Sequence, residues 1–181
     1  VGLSDKQRGV LVGMAAGAVV ALALVILGVT LNPLGYPGEV ATRARLELAA
    51  AAMLVPASFV AVSIARLAKH RFFSPADIDG GGLSEGTARA RVLQSLLQNT
   101  LEQAVLATLV YAAWSLLAPG SWLSAVPLCA IAFALGRVLF FVGYAKGAPS
   151  RAFGFTLTFY PTLVMLACVL GRWIGLLLGF W

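Results

Sequence analysis

Two sets of polar residues stand out in an otherwise apolar chain. The first is Arg91, Ser95, Asn99 and Glu102, spaced by four, four and three residues. That spacing places them on one face of a helix. Gln94, Gln98 and Gln103 widen the stripe. The second set is Arg137, Tyr144, Lys146 and Arg151. A guanidinium is a permanent cation with a planar fork of donors, suited to a carboxylate or a thiolate. A tyrosine hydroxyl can donate to the same anion. Lys146 reads more simply as an interfacial anchor, and spacing alone leaves Arg151 open between anchor and anion ligand.

Other chemistries are poorly represented. His70 is the single histidine, and Cys129 and Cys168 lie in separate apolar runs with no CxxC pair. Neither a zinc site nor a disulfide framework is expected. The net charge of +6 does not point to nucleic acid, because the basic residues flank apolar spans rather than line one polar face.

The elements that must carry these residues are membrane helices. Of the 181 residues 60% are hydrophobic and 11% charged, against about 25% charged in a soluble domain. Five apolar segments run over Val10–Leu31, Leu46–Ala68, Val92–Leu117, Leu123–Ala145 and Phe153–Phe180. Each reaches the ~20 residues that cross a ~30 Å hydrocarbon core. The runs are continuous rather than alternating, which favours helices over barrel strands. The expected fold is therefore all-α, a polytopic membrane helix bundle. The first segment follows Lys6 and Arg8 but is longer than the ~7–15 apolar residues of a signal peptide, and is expected to be a retained helix. Its Gly13, Ala16, Gly17 and Ala21 suit close packing, within the chain or against a partner in a membrane complex.

Basic residues set the orientation. Lys6, Arg8, Arg66, Lys69, Arg71, Arg89, Arg91, Lys146 and Arg151 fall on one side. Arg43 and Arg45, offset by Glu39 and Glu47, fall on the other. The first side is expected to be cytoplasmic, with the N-terminus inside. The long polar stretch from His70 to Arg89, with Gly80-Gly81-Gly82 at its tip, lies on that side. Glu102 then sits ~16 Å along its helix from Arg91, and Arg137 ~12 Å below the same surface. The third and fourth segments run antiparallel, so the two reach comparable depth. An ion pair between them is expected, either to fix helix register or to serve a site.

Three stretches resemble the MAPEG family, the membrane-associated proteins of eicosanoid and glutathione metabolism. The first runs from Ala65-Arg66 through Lys69-His70-Arg71-Phe72-Phe73-Ser74-Pro75-Ala76-Asp77, like the family's basic helix end and Phe-x-x-Pro-x-Asp loop. The second is Asn99-x-x-Glu102, like its Arg-Ala-x-x-Asn-x-x-Glu helix. The third is Gly136-Arg137-Val138 to Gly143-Tyr144 and then Ala148-Pro149-Ser150-Arg151, like its Arg-x(6)-Tyr segment and the arginine after it. The resemblance covers about residues 44–178. It divides the chain into an additional N-terminal transmembrane helix and loop over 1–43 and a four-helix transmembrane domain over 44–181.

The resemblance implies a homotrimer in the bilayer, with glutathione between neighbouring subunits near the cytoplasmic side; the expected location is a bacterial inner membrane. It implies that Arg151 holds the thiol as a thiolate, and that Arg66, Asn99, Glu102 and Tyr144, with Arg137 beside them, bind the tripeptide. The lowered thiol pKa makes chemical sense, because the thiolate is the nucleophile. The activity implied is conjugation to, or peroxide reduction of, a lipophilic substrate. Ser95 stands where the family usually has an arginine that meets a glutathione carboxylate, and Gln103 and Phe140 stand where some members have tyrosines. Losing a charged partner removes about 1.5–3 kcal/mol, and Lys69 or Arg91 are the candidates to replace it. The departures favour a second function, a MAPEG-like scaffold without catalysis that binds lipid or serves a membrane complex. A transporter is disfavoured, since there is no internal repeat and no pair of broken helices.

Overall fold

In the computed structural model, which describes residues 2–180, five helices alternate in direction: α1 (Asp5–Ile26), α2 (Thr42–Phe72), α3 (Ala88–Leu117), α4 (Ala125–Gly143) and α5 (Ala148–Leu177). All five are long and apolar enough to cross a membrane. Val12, Val19, Leu54 and Leu109 lie exposed along their flanks, where lipid rather than water is the compatible solvent. The chain is thus a multi-pass helical membrane protein. Most helices begin or end a few residues beyond their apolar runs. The cause is that polar ends continue the backbone hydrogen bonding into the interface, while hydropathy marks only the hydrocarbon-spanning part.

Local signals set the ends. Ser4 caps α1 in a reciprocal box with Gln7: the Gln7 amide donates to the Ser4 hydroxyl at 3.3 Å, and the Ser4 amide to Gln7 Oε1 at 2.8 Å. A wider turn over Leu27–Leu31 closes α1 at Asn32, which adopts a left-handed conformation. Arg45 reaches across to the last turn of α3 and donates to the carbonyls of Ser115 and Ala118 at 2.9 and 2.7 Å. A cation there satisfies orphan acceptors and complements the helix dipole. Arg172, which the orientation count above omitted, joins Arg43 and Arg45 at this end. The other nine cationic residues of that count cluster at the end holding the 73–87 loop and the α4–α5 turn.

The main core lies toward the less basic end, where Trp114, Phe133, Tyr111 and Met165 are fully buried among α2–α5. A smaller cluster of Leu67, Leu93, Leu96 and Phe140 sits near the basic end. The N-terminal helix is not peripheral: α1 packs along α5 in parallel. A Cβ on Gly9 would lie 2.9 Å from Pro149 Cβ, and one on Gly13 2.8 Å from Ala152 Cβ. A Cβ on Gly17 would overlap the Thr156 hydroxyl. The four-residue period of small residues therefore seats α1 within the chain itself.

Candidate functional site

Near the basic end, α1, α3, α4 and α5 surround a cleft of about 350 Å³. Asn99, Phe140, Tyr144, Arg151 and Tyr160 line it, with Val10 and Met14 of α1 opposite. Its chemistry depends on the α4–α5 corner. There α4 gives way to a tight turn over Tyr144–Lys146, closed at Gly147 with φ 104°. Only glycine adopts that conformation without strain. The next helix opens with Pro149 in its first turn, where a missing N–H is harmless. A Cβ at Gly143 would lie 2.8 Å from the Ser150 carbonyl carbon and 3.1 Å from Arg151 Cα. Backbone meets backbone at that point, and this draws Tyr144 and Arg151 together. The Arg151 guanidinium carbon stands 4.2 Å from the centre of the Tyr144 ring, within cation–π range. No described residue accepts a hydrogen bond from Arg151, so its donors are available to the cleft.

Behind the cleft lies Arg137, with no exposed surface. It donates to Asn99 Oδ1 and to Thr158 Oγ1, each at 2.9 Å, and its guanidinium carbon is 4.4 Å from the Phe140 ring centre. Its Nε has no partner among the described residues. The expected ion pair with Glu102 is not formed. Glu102 is exposed, and its carboxylate accepts from Gln98 Nε2 at 2.9 Å. The register of α3 against α4 brings Arg137 level with Asn99. Glu102 lies three residues further along, ~4.5 Å deeper and ~60° around the helix. An amide oxygen, a hydroxyl and an aromatic face replace the carboxylate. The contact also fixes Asn99: a guanidinium has only donors, so the amide oxygen must face it. The Asn99 NH₂ is left for whatever occupies the cleft.

The remaining candidates are divided. Arg66 opens into a separate basic groove of about 660 Å³ with Lys69, His70 and Arg89. Its guanidinium carbon is 5.2 Å from the Phe141 ring centre. Glu102 belongs to an exposed polar strip of α3 with Arg91, Gln94, Ser95 and Gln98. Of the two residues named as substitutes for the charge absent at Ser95, Arg91 lines a groove with Ser95, together with Arg71 and Gln94. Lys69 lies in the Arg66 groove instead. Gln103 is buried rather than on the polar strip. The residues missed by sequence are Thr158, hidden in an apolar run, and the α1 pair Val10 and Met14, whose type carries no chemical signal.

The Phe-x-x-Pro-x-Asp loop is built around Asp77, which is 1% exposed. It accepts from the Thr87 backbone and hydroxyl at 2.7 Å each, from Ser74 at 2.8 Å, and pairs with His70 Nε2 at 2.9 Å. The Thr87 amide above all, then the Thr87 and Ser74 hydroxyls and His70, hold its carboxyl well below the usual carboxylate range despite burial. Thr87 in turn caps α3 by accepting from the Ala90 amide at 3.2 Å. Asp77 thus ties the end of α2 to the start of α3.

The family model of the MAPEG family matches residues 46–171, from the second turn of α2 through most of α5. This leaves α1 outside the match. No curated protein and no solved structure gives a significant match to the chain.

Proposed function

The chain belongs to the MAPEG family, and from that premise we propose that it is a membrane glutathione-dependent transferase or peroxidase acting on a lipophilic substrate. One observation carries this reading: Arg151 stacks on Tyr144, has no hydrogen-bond acceptor among the described residues, and lines a cleft that also holds Asn99. The cleft's size is within the range of small-molecule sites, ~300–1,000 Å³. It lies among the helices near the basic end, and its lining includes Val10, Met14, Phe140 and Phe155, which suits a lipophilic acceptor.

Each residue then has a role. Arg151 stabilises the glutathione thiolate, lowering the thiol pKa so that the proton leaves to solvent and sulfur attacks the acceptor. Tyr144 orients the guanidinium and offers its hydroxyl. Asn99, held by Arg137, presents its NH₂ to a carbonyl or carboxylate of the tripeptide. Arg137 is a positioning residue, since it is fully buried and touches the cleft lining through Asn99 and the Phe140 ring.

The division of the candidates supports a homotrimer. The exposed α3 strip from Arg91 to Glu102 is too polar for lipid, and α1 packs on α5 and α4 rather than over it. Turned to a neighbouring subunit, that strip would bring Glu102 and the Arg66 groove of one protomer toward the cleft of the next. Arg71 and Arg91 beside Ser95 would supply the charge absent at that position. The basic end then faces the cytoplasm.

Isothermal titration of the purified protein with glutathione tests the reading, with the mass of the detergent complex measured in parallel. Saturable binding at up to millimolar glutathione by a trimer is expected. A protein that binds none at that concentration would favour the alternative, a MAPEG-like scaffold without catalysis. The substitutions at Ser95 and Phe140 are what keep that alternative in view.

A further inference from the structure

The helix outside the family match contributes directly to the cleft. Val10 and Met14 of α1 line it together with Arg151, and their spacing of four residues puts both on one side of the helix. They are held in place firmly. Gly9, Gly13 and Gly17 seat α1 against α5, and the Thr156 hydroxyl donates to the Gly13 carbonyl at 3.1 Å. A second groove, of about 320 Å³, shares Val10, Met14 and Ala148 with the cleft and continues past Leu11 and Leu3 to Lys6. Val10 and Met14 border both spaces, so these side chains bound the cleft that holds Arg151 and the apolar groove next to it.

We propose that α1 sets the acceptor range of this protein: Val10 and Met14 form the apolar wall beside Arg151, and the groove beyond them holds the tail of a long-chain acceptor. The proposal rests on the reading of Arg151 as the thiolate-holding residue. It assigns specificity to a helix that the four-helix plan lacks. The occupant is an unbranched alkyl chain, because the groove is lined mainly by apolar side chains and borders the cleft that holds Arg151.

The test uses glutathione and α,β-unsaturated aldehydes from hexenal to dodecenal as probes. In this addition the thiolate sulfur bonds to the β-carbon, the C=C π pair moves to the α-carbon, and the α-carbon takes a proton from water. Atoms and electrons balance with no further reactant. A tail seated in the groove exchanges contacts with lipid or detergent for contacts with the groove wall, so kcat/KM in wild type, at fixed acceptor concentration in the micelle, should rise along the series. Met14→Trp or Val10→Trp should crowd the border that the two spaces share, lowering kcat/KM for dodecenal about tenfold more than for hexenal. Val12→Trp, on an exposed part of α1 that lines neither space, should keep the wild-type profile. Val10→Phe repeats the test with a smaller change if tryptophan disturbs the helix. An unchanged length profile in the Val10 and Met14 variants, with glutathione still bound, would overturn the proposal and leave the glutathione reading intact. An equal loss in Val12→Trp would do the same. A wild-type protein that binds no glutathione would remove the underlying reading and this proposal with it.

Discussion

Thr158→Val tests how the bundle tolerates a cation in its interior. Arg137 has no exposed surface and Thr158 is 1% exposed. The Thr158 hydroxyl gives its proton to the Phe155 carbonyl at 2.7 Å, which leaves its lone pairs for Arg137 at 2.9 Å. Valine keeps the shape and removes the acceptor. A hydrogen bond to a charged group contributes about 1.5–3 kcal/mol, so that is the expected loss. Asn99→Leu removes the other acceptor and should fall in the same range. Together they leave a buried guanidinium with an aromatic face alone, and the combined loss should approach the ~3–5 kcal/mol of a stranded buried charge. The pair share one partner, so the effects should not simply add. Adding Arg137→Met to the double variant should restore most of the stability, because an apolar side chain needs no acceptor there. Reversible unfolding in mixed detergent micelles measures the four variants against wild type. A Thr158→Val loss below about 0.5 kcal/mol, or a triple variant no more stable than the double, would refute the desolvated network.

Two further outcomes follow from packing and from the loop. Gly17→Leu should force α1 from α5, because even its Cβ overlaps Thr156; a loss of about 1–3 kcal/mol is expected. Gly171→Leu, with open space around it, should be nearly silent in the same thermal-unfolding assay, and equal effects would contradict the packing. Asp77 is held ionised below its unfolded value of about 3.9, so its contribution is complete above that pH and fades as the pH falls below it. Protection of the Thr87 amide from hydrogen exchange, corrected for intrinsic rates, should be flat down to about pH 4 and then decline. Asp77→Asn should lower it at every pH, and a wild-type decline starting near neutrality would assign the loop to another group.

The five spans were legible because hydropathy acts over whole helices. The local spacing and chemistry of Asn99, Tyr144 and Arg151 also singled out three residues that line one cleft. The Glu102–Arg137 geometry was not legible. Depth along each helix follows from counting residues, but rotation and axial offset between helices are set by packing at positions such as Gly136 and Gly154. A Cβ at Gly136 would lie 2.7 Å from Thr158 Cγ2, and that close approach is what delivers Thr158 to Arg137. The place of α1 was half legible: the glycine period announced close packing without naming α5 as its partner. Val10 and Met14 became notable only once the helix was seated.

The absorbance of the glutathione thiolate in the ultraviolet, titrated against pH in wild type and Arg151→Ala, addresses the central claim most directly. With Arg151 beside the sulfur, bound glutathione should show thiolate absorbance at neutral pH, well below the titration of the free thiol. Arg151→Ala should still fold and bind the peptide but lose that signal at neutral pH, and Arg151→Lys should restore only part of it, since lysine supplies charge without the planar fork. Equal thiolate absorbance in wild type and Arg151→Ala would contradict the account.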